Sequence, residues 1–326
     1  MIKKKSGQKK LTFVDLFAGI GGFHLGIMQA AKNLGFIPEC VLAVDNNKHA
    51  QVTYGENFIG TQIMADITTP EVKNYVSHDV DIVCGGFPCQ PFSQAGKKRG
   101  AEDDRGTLYK HILDILKDKK PKAVFLENVR NLQNIENNDG IKIIDVIREG
   151  LEDAGYPISI RTFRATEFGL PTHRPRIYLV GFRKDVLSDP NNFFWPKTKN
   201  SHGSLPKLDE YFCKLSKKWD GLIEREGWPN RVGSTLRVGG AGSGFRDNDT
   251  RRDRRNWDSY MFFENDIKKR HVHQLSINEA KAIMGFPANF RFSQVSKTQA
   301  MKQLGNSVAV PVISAIAKNI IKTIYG

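Results

Sequence analysis

The segment Leu11-Thr-Phe-Val-Asp-Leu-Phe17, followed by Ala18-Gly-Ile-Gly-Gly22, constrains the fold more than any other part of the chain. The apolar run reads as a strand, the glycines as a tight turn, and Phe23 to Leu34 as an amphipathic helix. Strand, glycine turn and helix make the first unit of a Rossmann-like α/β sheet, with the first N–H groups of the helix turned towards a ligand. The glycines stop short of the dinucleotide fingerprint G-x-G-x-x-G, because His24 stands at its last position.

The next strand, Cys40–Val44, ends at Asp45, 24 residues after Gly21. An acid at the tip of the second strand can accept both hydroxyls of a ribose. Asp66 ends the next short segment and could face an adenine amino group. Acids at successive strand ends, without a complete pyrophosphate loop, specify an adenosine pocket and fit S-adenosylmethionine better than a nicotinamide dinucleotide. Either acid alone is commonly a helix cap or turn residue.

The run Asp81-Ile-Val-Cys-Gly-Gly-Phe-Pro-Cys-Gln90 lifts a second thiol, Cys89, to the carboxyl edge of the sheet. Proline fixes the backbone before the sulfur, and the glycines clear side chains from its approach. A thiolate held this way is a nucleophile, whereas an isolated cysteine at a strand end is ordinarily core filling. The four cysteines form no CxxC pair and no zinc spacing with histidine, so neither a disulfide framework nor a metal site is expected. The net charge of +14 favours a polyanionic partner, with nucleic acid first. No apolar run was read as approaching the ~20 residues of a membrane span, and the Lys-rich segment before Leu11 lacks a signal-peptide core. A cytoplasmic protein is expected.

At this point the chain resembles the C5-cytosine DNA methyltransferases of the bacterial and phage restriction-modification type. Phe17-Ala-Gly-Ile-Gly21, Gly86-Phe-Pro-Cys-Gln90, Asp104-Arg-Gly-Thr-Leu108, Glu127-Asn-Val129, Arg174-Pro-Arg176 and Gln303-Leu-Gly-Asn-Ser307 follow in the family's order. The likeness covers roughly Leu11–Phe182 and His273–Gly326. It implies S-adenosylmethionine as cofactor, leaving as S-adenosylhomocysteine. It also implies cofactor contacts from Phe17, Gly19, Gly21, Asp45, Asp66, Ile67, Pro88, Leu108, Asn306 and Ser307. Two residues depart from the family pattern: Asn46 stands where tryptophan often stacks on adenine, and Thr172 where glutamine commonly begins the arginine motif.

Cytosine C5 is a poor nucleophile until a thiolate adds at C6, which makes Cys89 the catalytic candidate. Addition drives electron density to N3, so Glu127, ending the apolar strand Ala123–Leu126, would hydrogen-bond or protonate N3. Arg174 and Arg176 alternate at the start of the strand Ile177–Phe182 and so share a face. Arg176 would orient the cytosine carbonyl, and Arg174 could bind a flanking phosphate. Because the target carbon lies in a stacked duplex, the nucleotide must be flipped out. The loop Gln90–Gly100, with Ser93, Lys97, Lys98 and Arg99, reads as a closing DNA-binding loop.

After Phe182 the alternation of strands and helices stops. Arg231 to Trp257 holds seven arginines, among them Arg237, Arg246, Arg251, Arg252, Arg254 and Arg255, interleaved with glycines. Arginine suits phosphates and guanine edges, so this region reads as target recognition. The expected organisation is a catalytic and cofactor domain in residues 1–183, a smaller, mainly irregular or β target-recognition domain in 184–272, and a closing catalytic part in 273–326. Its helices would be one from Ser276 to Met284 and one over Pro311–Ile324. The expected activity is sequence-specific methylation of C5 in duplex DNA by a monomer, with any cognate restriction endonuclease acting separately. A tRNA cytosine-5 methyltransferase homologue, a non-catalytic DNA-binding regulator and, remotely, a nicotinamide oxidoreductase are the alternatives.

Overall fold

A computed structural model of the protein describes residues 9–78, 80–88, 108–137, 139–198, 236, 260–262, 272–274 and 276–326. The first strand, β1 (Lys10–Leu16), enters the turn, and helix α1 (Gly22–Asn33) leaves it. Strand β2 (Ile37–Val44), helix α2 (Lys48–Asn57), the two-residue strand β3 (Ile63–Met64) and the short helix α3 (Pro70–Tyr75) follow. Strand β4 (Ile82–Gly86), helix α4 (Leu108–Lys119), strand β5 (Ala123–Val129) and helix α5 (Ile143–Asp153) continue the alternation. Strands β6 (Ile158–Phe163) and β7 (Arg176–Phe182) complete a seven-stranded sheet of order β3-β2-β1-β4-β5-β7-β6.

The sheet is mixed rather than wholly parallel. β1 pairs parallel with β2 and β4, and β4 with β5, whereas β7 runs antiparallel to both β5 and β6. Alternation along each strand builds a core on both faces. Ala123 and Phe125 of β5 face the layer of Phe23, Ile27 and Ile313, while Val124 and Leu126 face Ile112, Ile115 and Ile147. Helix α6 (Ile277–Met284) starts at a capping box of Ser276 and Glu279 and ends at Gly285 with φ 76°.

Helix α7 (Lys297–Asn306) and helix α8 (Val310–Tyr325) close the domain. The stretch Lys297–Tyr325 is apolar and long enough to cross a membrane by length and composition, which the sequence reading passed over. It is not one continuous helix, being broken between Asn306 and Val310, and α8 buries Ile313, Ile316, Ile320 and Ile321 against the sheet and α1. Burial of each such side chain contributes about 1.5–3 kcal/mol, which accounts for the hydropathy without a bilayer.

The chain beyond Phe182 stays on the sheet longer than expected. Phe193 is buried against Phe182, and Trp195 packs edge-on against Phe163 while its indole N–H donates to Ser159 Oγ at 2.9 Å. Strand β8 (Tyr260–Phe262), in the expected recognition region, pairs antiparallel with β9 (Val272–Gln274) at its boundary with the closing part. Cys89, Ser93, Lys97, Lys98, Arg99, Arg237, Arg246, Arg251, Arg252, Arg254 and Arg255 lie outside the described residues.

Candidate active site

The loop after β1 is held by acids. Asp15 is fully buried, and its Oδ2 accepts the His24 backbone N–H at 3.2 Å, capping α1 where Gly21 offers no side chain. Gly21 itself has φ 82°, and a Cβ there would lie 2.2 Å from the Phe58 ring. It therefore serves as a tight turn packed against Phe58. At Gly22 a Cβ would come within 2.7 Å of Ser307 Oγ and Val308 Cγ2, so the missing side chain admits the segment between α7 and α8.

That approach completes a cavity of about 590 Å³ at the carboxyl ends of β1, β2, β4 and β5. Its size lies in the usual range for small-molecule sites. Phe17, Gly19, Asp45, Asp66, Ile67, Pro88, Leu108, Asn306 and Ser307 line it, as do Glu127, Arg174 and Arg176. Of the cofactor residues expected from the sequence, only Gly21 falls outside this lining.

Asp45 is pinned by two backbone donors, Gly19 N–H to Oδ2 at 2.7 Å and Asn47 N–H to Oδ1 at 2.9 Å. Each oxygen keeps a further lone pair for a ligand hydroxyl. Burial raises its pKa and these two hydrogen bonds oppose the rise. Asp66 is exposed, and its Oδ1 accepts from the Thr68 N–H and hydroxyl at 2.9 and 2.8 Å, which lower its pKa. Phe17, Ile67, Pro88 and Leu108 supply apolar walls between acceptors, a set that fits a flat base carrying a ribose. Asn46, at the tryptophan position, also lines the cavity and is exposed.

The opposite end carries the acid and the arginines. Glu127 does not end its strand, because β5 continues to Val129, which pairs with Arg176 of β7. On the other side Glu127 is in register with Gly86, the last residue of β4. It is buried, with Arg176 Nε 2.9 Å from its Oε1. That contact is an ion pair. Burial pushes the Glu127 pKa up, and the charges of Arg176 and then Arg174 pull it down without cancelling the rise. A carboxyl whose pKa is raised by burial is suited to proton transfer.

Arg176 also donates from Nη1 to the Pro175 carbonyl at 2.8 Å. Arg174 differs from its expected role. It is buried, its Nη1 donates to the Leu236 carbonyl at 3.3 Å and its Nη2 to the Ser307 carbonyl. A guanidinium spent on two backbone carbonyls inside the protein is not extended towards a DNA phosphate. Thr172 is fully buried beside it in sequence.

Asn128 enters the sequence reading only as the middle of the Glu127-Asn-Val129 motif. It is buried, and its Nδ2 donates to the Phe87 carbonyl at 2.9 Å while its Oδ1 accepts the Val129 N–H at 2.8 Å. It therefore fixes the backbone immediately before Pro88. Asp15 was passed over because a single acid within an apolar strand carries no periodic signal. A carboxylate and an amide among strand residues that are otherwise apolar were the available clues.

The sequence profile of the family described as C-5 cytosine-specific DNA methylase matches residues 11–322. The type II methyltransferase M1.ScrFI of Lactococcus lactis subsp. cremoris is 36% identical over 326 residues, covering 97% of this chain and 79% of its own. M.HhaI of Haemophilus parahaemolyticus is 34% identical over 323 residues, covering 95% of this chain and 94% of its own. Among solved structures, the S. pombe Dnmt2 methyltransferase superposes with a TM-score of 0.70 at 20% identity, over 97% of this chain and all of that one. A putative DNA modification methyltransferase of an E. coli prophage gives 0.63 at 22%, over 97% of this chain and 100% of its own. These structural likenesses carry the fold. The profile match over nearly the whole chain carries more: this protein belongs to the C-5 cytosine-specific DNA methylase family.

Proposed function

We propose that the protein methylates C5 of a flipped-out cytosine in a specific duplex DNA sequence, using S-adenosylmethionine bound in the cavity of about 590 Å³. The observation that carries this reading is the buried Glu127 beside Arg176, an acid whose pKa burial raises, at one end of a cavity whose other end offers Asp45. The cofactor supplies an electrophilic methyl group.

The chain's residues would do the rest. The Cys89 thiolate adds to cytosine C6, and its electron pair moves through the ring towards N3, where Glu127 donates a proton. C5 then carries the nucleophilic density and takes the methyl group. Loss of the C5 proton to water or another base, with return of the N3 proton and expulsion of the Cys89 thiolate, restores the aromatic ring. Arg176 would hold the cytosine carbonyl oxygen, and Asn128 the backbone that leads to Pro88 and Cys89. The +14 charge supports a duplex partner, and the arginine-rich segment 231–257 supports sequence reading there. We further propose that the protein acts as a monomer, independently of any restriction endonuclease.

Bisulfite sequencing of DNA from cells expressing the protein tests the activity and reveals the site. DNA with 5-fluorocytosine at that site should trap the wild type covalently, and Cys89→Ala should give no adduct. Methylated RNA with unmethylated DNA would move the substrate class to RNA.

A further inference from the structure

We propose that Arg174 is a positioning residue that couples the recognition region to the cofactor cavity. This rests on the function proposed above for those two regions. Arg174 joins three separate stretches of chain: its own just before β7, Leu236 through one carbonyl, and Ser307 through another. Leu236 is 5% exposed and packs in a cluster with Ile20, Leu25, Met284 and Leu304, so its carbonyl is fixed by its buried side chain. Ser307 lines the cavity and lies against Gly22.

A buried cation tolerates little loss of solvation. The Arg174 Nε has no hydrogen-bond partner, and Arg176 adds a like charge nearby. The two carbonyls and the charge of Glu127 therefore bear the burden of keeping the guanidinium inside. Displacing Leu236 would remove one acceptor and make the Ser307 contact the remaining backbone anchor, and the reverse holds equally. Its own backbone, at φ 21°, is in a region that side-chain-bearing residues seldom occupy, consistent with a residue held by its surroundings. Two ligands that each order one of these segments would then assist one another, and such linkage is reciprocal.

The test compares the wild type with Arg174→Met, which removes charge and donors, and Arg174→Lys, which retains charge and can reach one carbonyl. Hydrogen exchange at the peptide containing Leu236 is measured with and without saturating S-adenosylhomocysteine, in the absence of DNA. Wild-type exchange should slow by about fivefold or more, the lower range for coupled sites. It should be unchanged in the methionine variant and partly slowed in the lysine variant. The duplex dissociation constant, measured with and without the same compound, should show the same order of ratios. A role confined to stability would weaken binding but leave these ratios at the wild-type value.

Retention of the full ratio in Arg174→Met overturns the proposal, as does a wild-type Leu236 peptide that ignores S-adenosylhomocysteine. If melting shows the methionine variant unfolded, the lysine variant decides, and an undiminished ratio there overturns it. The exchange measurement needs no DNA substrate, so a wild type that methylates nothing counts against the proposed function and not against this coupling.

Discussion

Burial raises the Glu127 pKa and two neighbouring arginines lower it, and that balance predicts both rate and pH dependence. Glu127→Gln keeps a hydrogen-bond donor but has no transferable proton. Methylation should fall by about 10²–10⁴-fold, with cofactor affinity little changed, as measured by single-turnover kinetics and calorimetry. The acid form is lost as pH rises through the raised value, so wild-type kcat/KM should have an alkaline limb that the glutamine variant lacks. In Arg176→Met the nearest cation is gone, and the surviving limb should move to higher pH. A limb that stays put in both variants would assign it to another group. Asp15 gives a matching prediction for stability. Its folded pKa is raised by burial, so its contribution is complete below the unfolded carboxylate range and is lost as pH climbs through the folded value. Asp15→Asn, which retains an acceptor for the His24 N–H, should flatten the fall of Tm with pH on the alkaline side of that range.

The junctions between elements, more than the elements themselves, form the cavity. Gly22→Ala should push the Ser307–Val308 segment off α1 and weaken S-adenosylmethionine binding, while far-ultraviolet circular dichroism keeps its helical signal. Asp45→Ala should cost about 1.5–3 kcal/mol of cofactor affinity, the scale of a hydrogen bond to a charged group. Calorimetry finding both affinities unaltered would place the cofactor elsewhere. Most of these junctions were legible in the sequence, because glycines, strand-end acids and the Ser276 cap act locally and leave local marks. β1, α1 and α6 accordingly lie within a residue or two of their expected bounds. The antiparallel entry of β7 was not legible, since pairing is a choice among distant partners. That pairing extends β5 past Glu127 and places Arg176 diagonally across from the acid. The diversion of Arg174 to two carbonyls was hidden for the same reason: its partners lie 62 and 133 residues away.

For the whole molecule, the apolar contacts of Phe193 and Trp195 set where the catalytic domain can be cut. An exchange of residues 199–271 for the corresponding part of M.HhaI should change the methylated sequence and spare cofactor affinity. The grafted segment needs an apolar residue whose carbonyl meets Arg174. An active chimera that still marks the original site would put recognition in the catalytic domain. Two walls of one cavity, Phe17 to Gly22 and Gln303 to Val308, stand nearly the whole sequence apart. A ribosome making roughly 5–20 residues each second would therefore expose Cys89, Glu127, Arg174 and Arg176 many seconds before the second wall. Throughout that interval the cavity lacks one of its two walls. The cavity is therefore finished only when residues 303–325 have folded back onto α1, which makes the methyl-donor wall one of the last parts of the molecule to be completed.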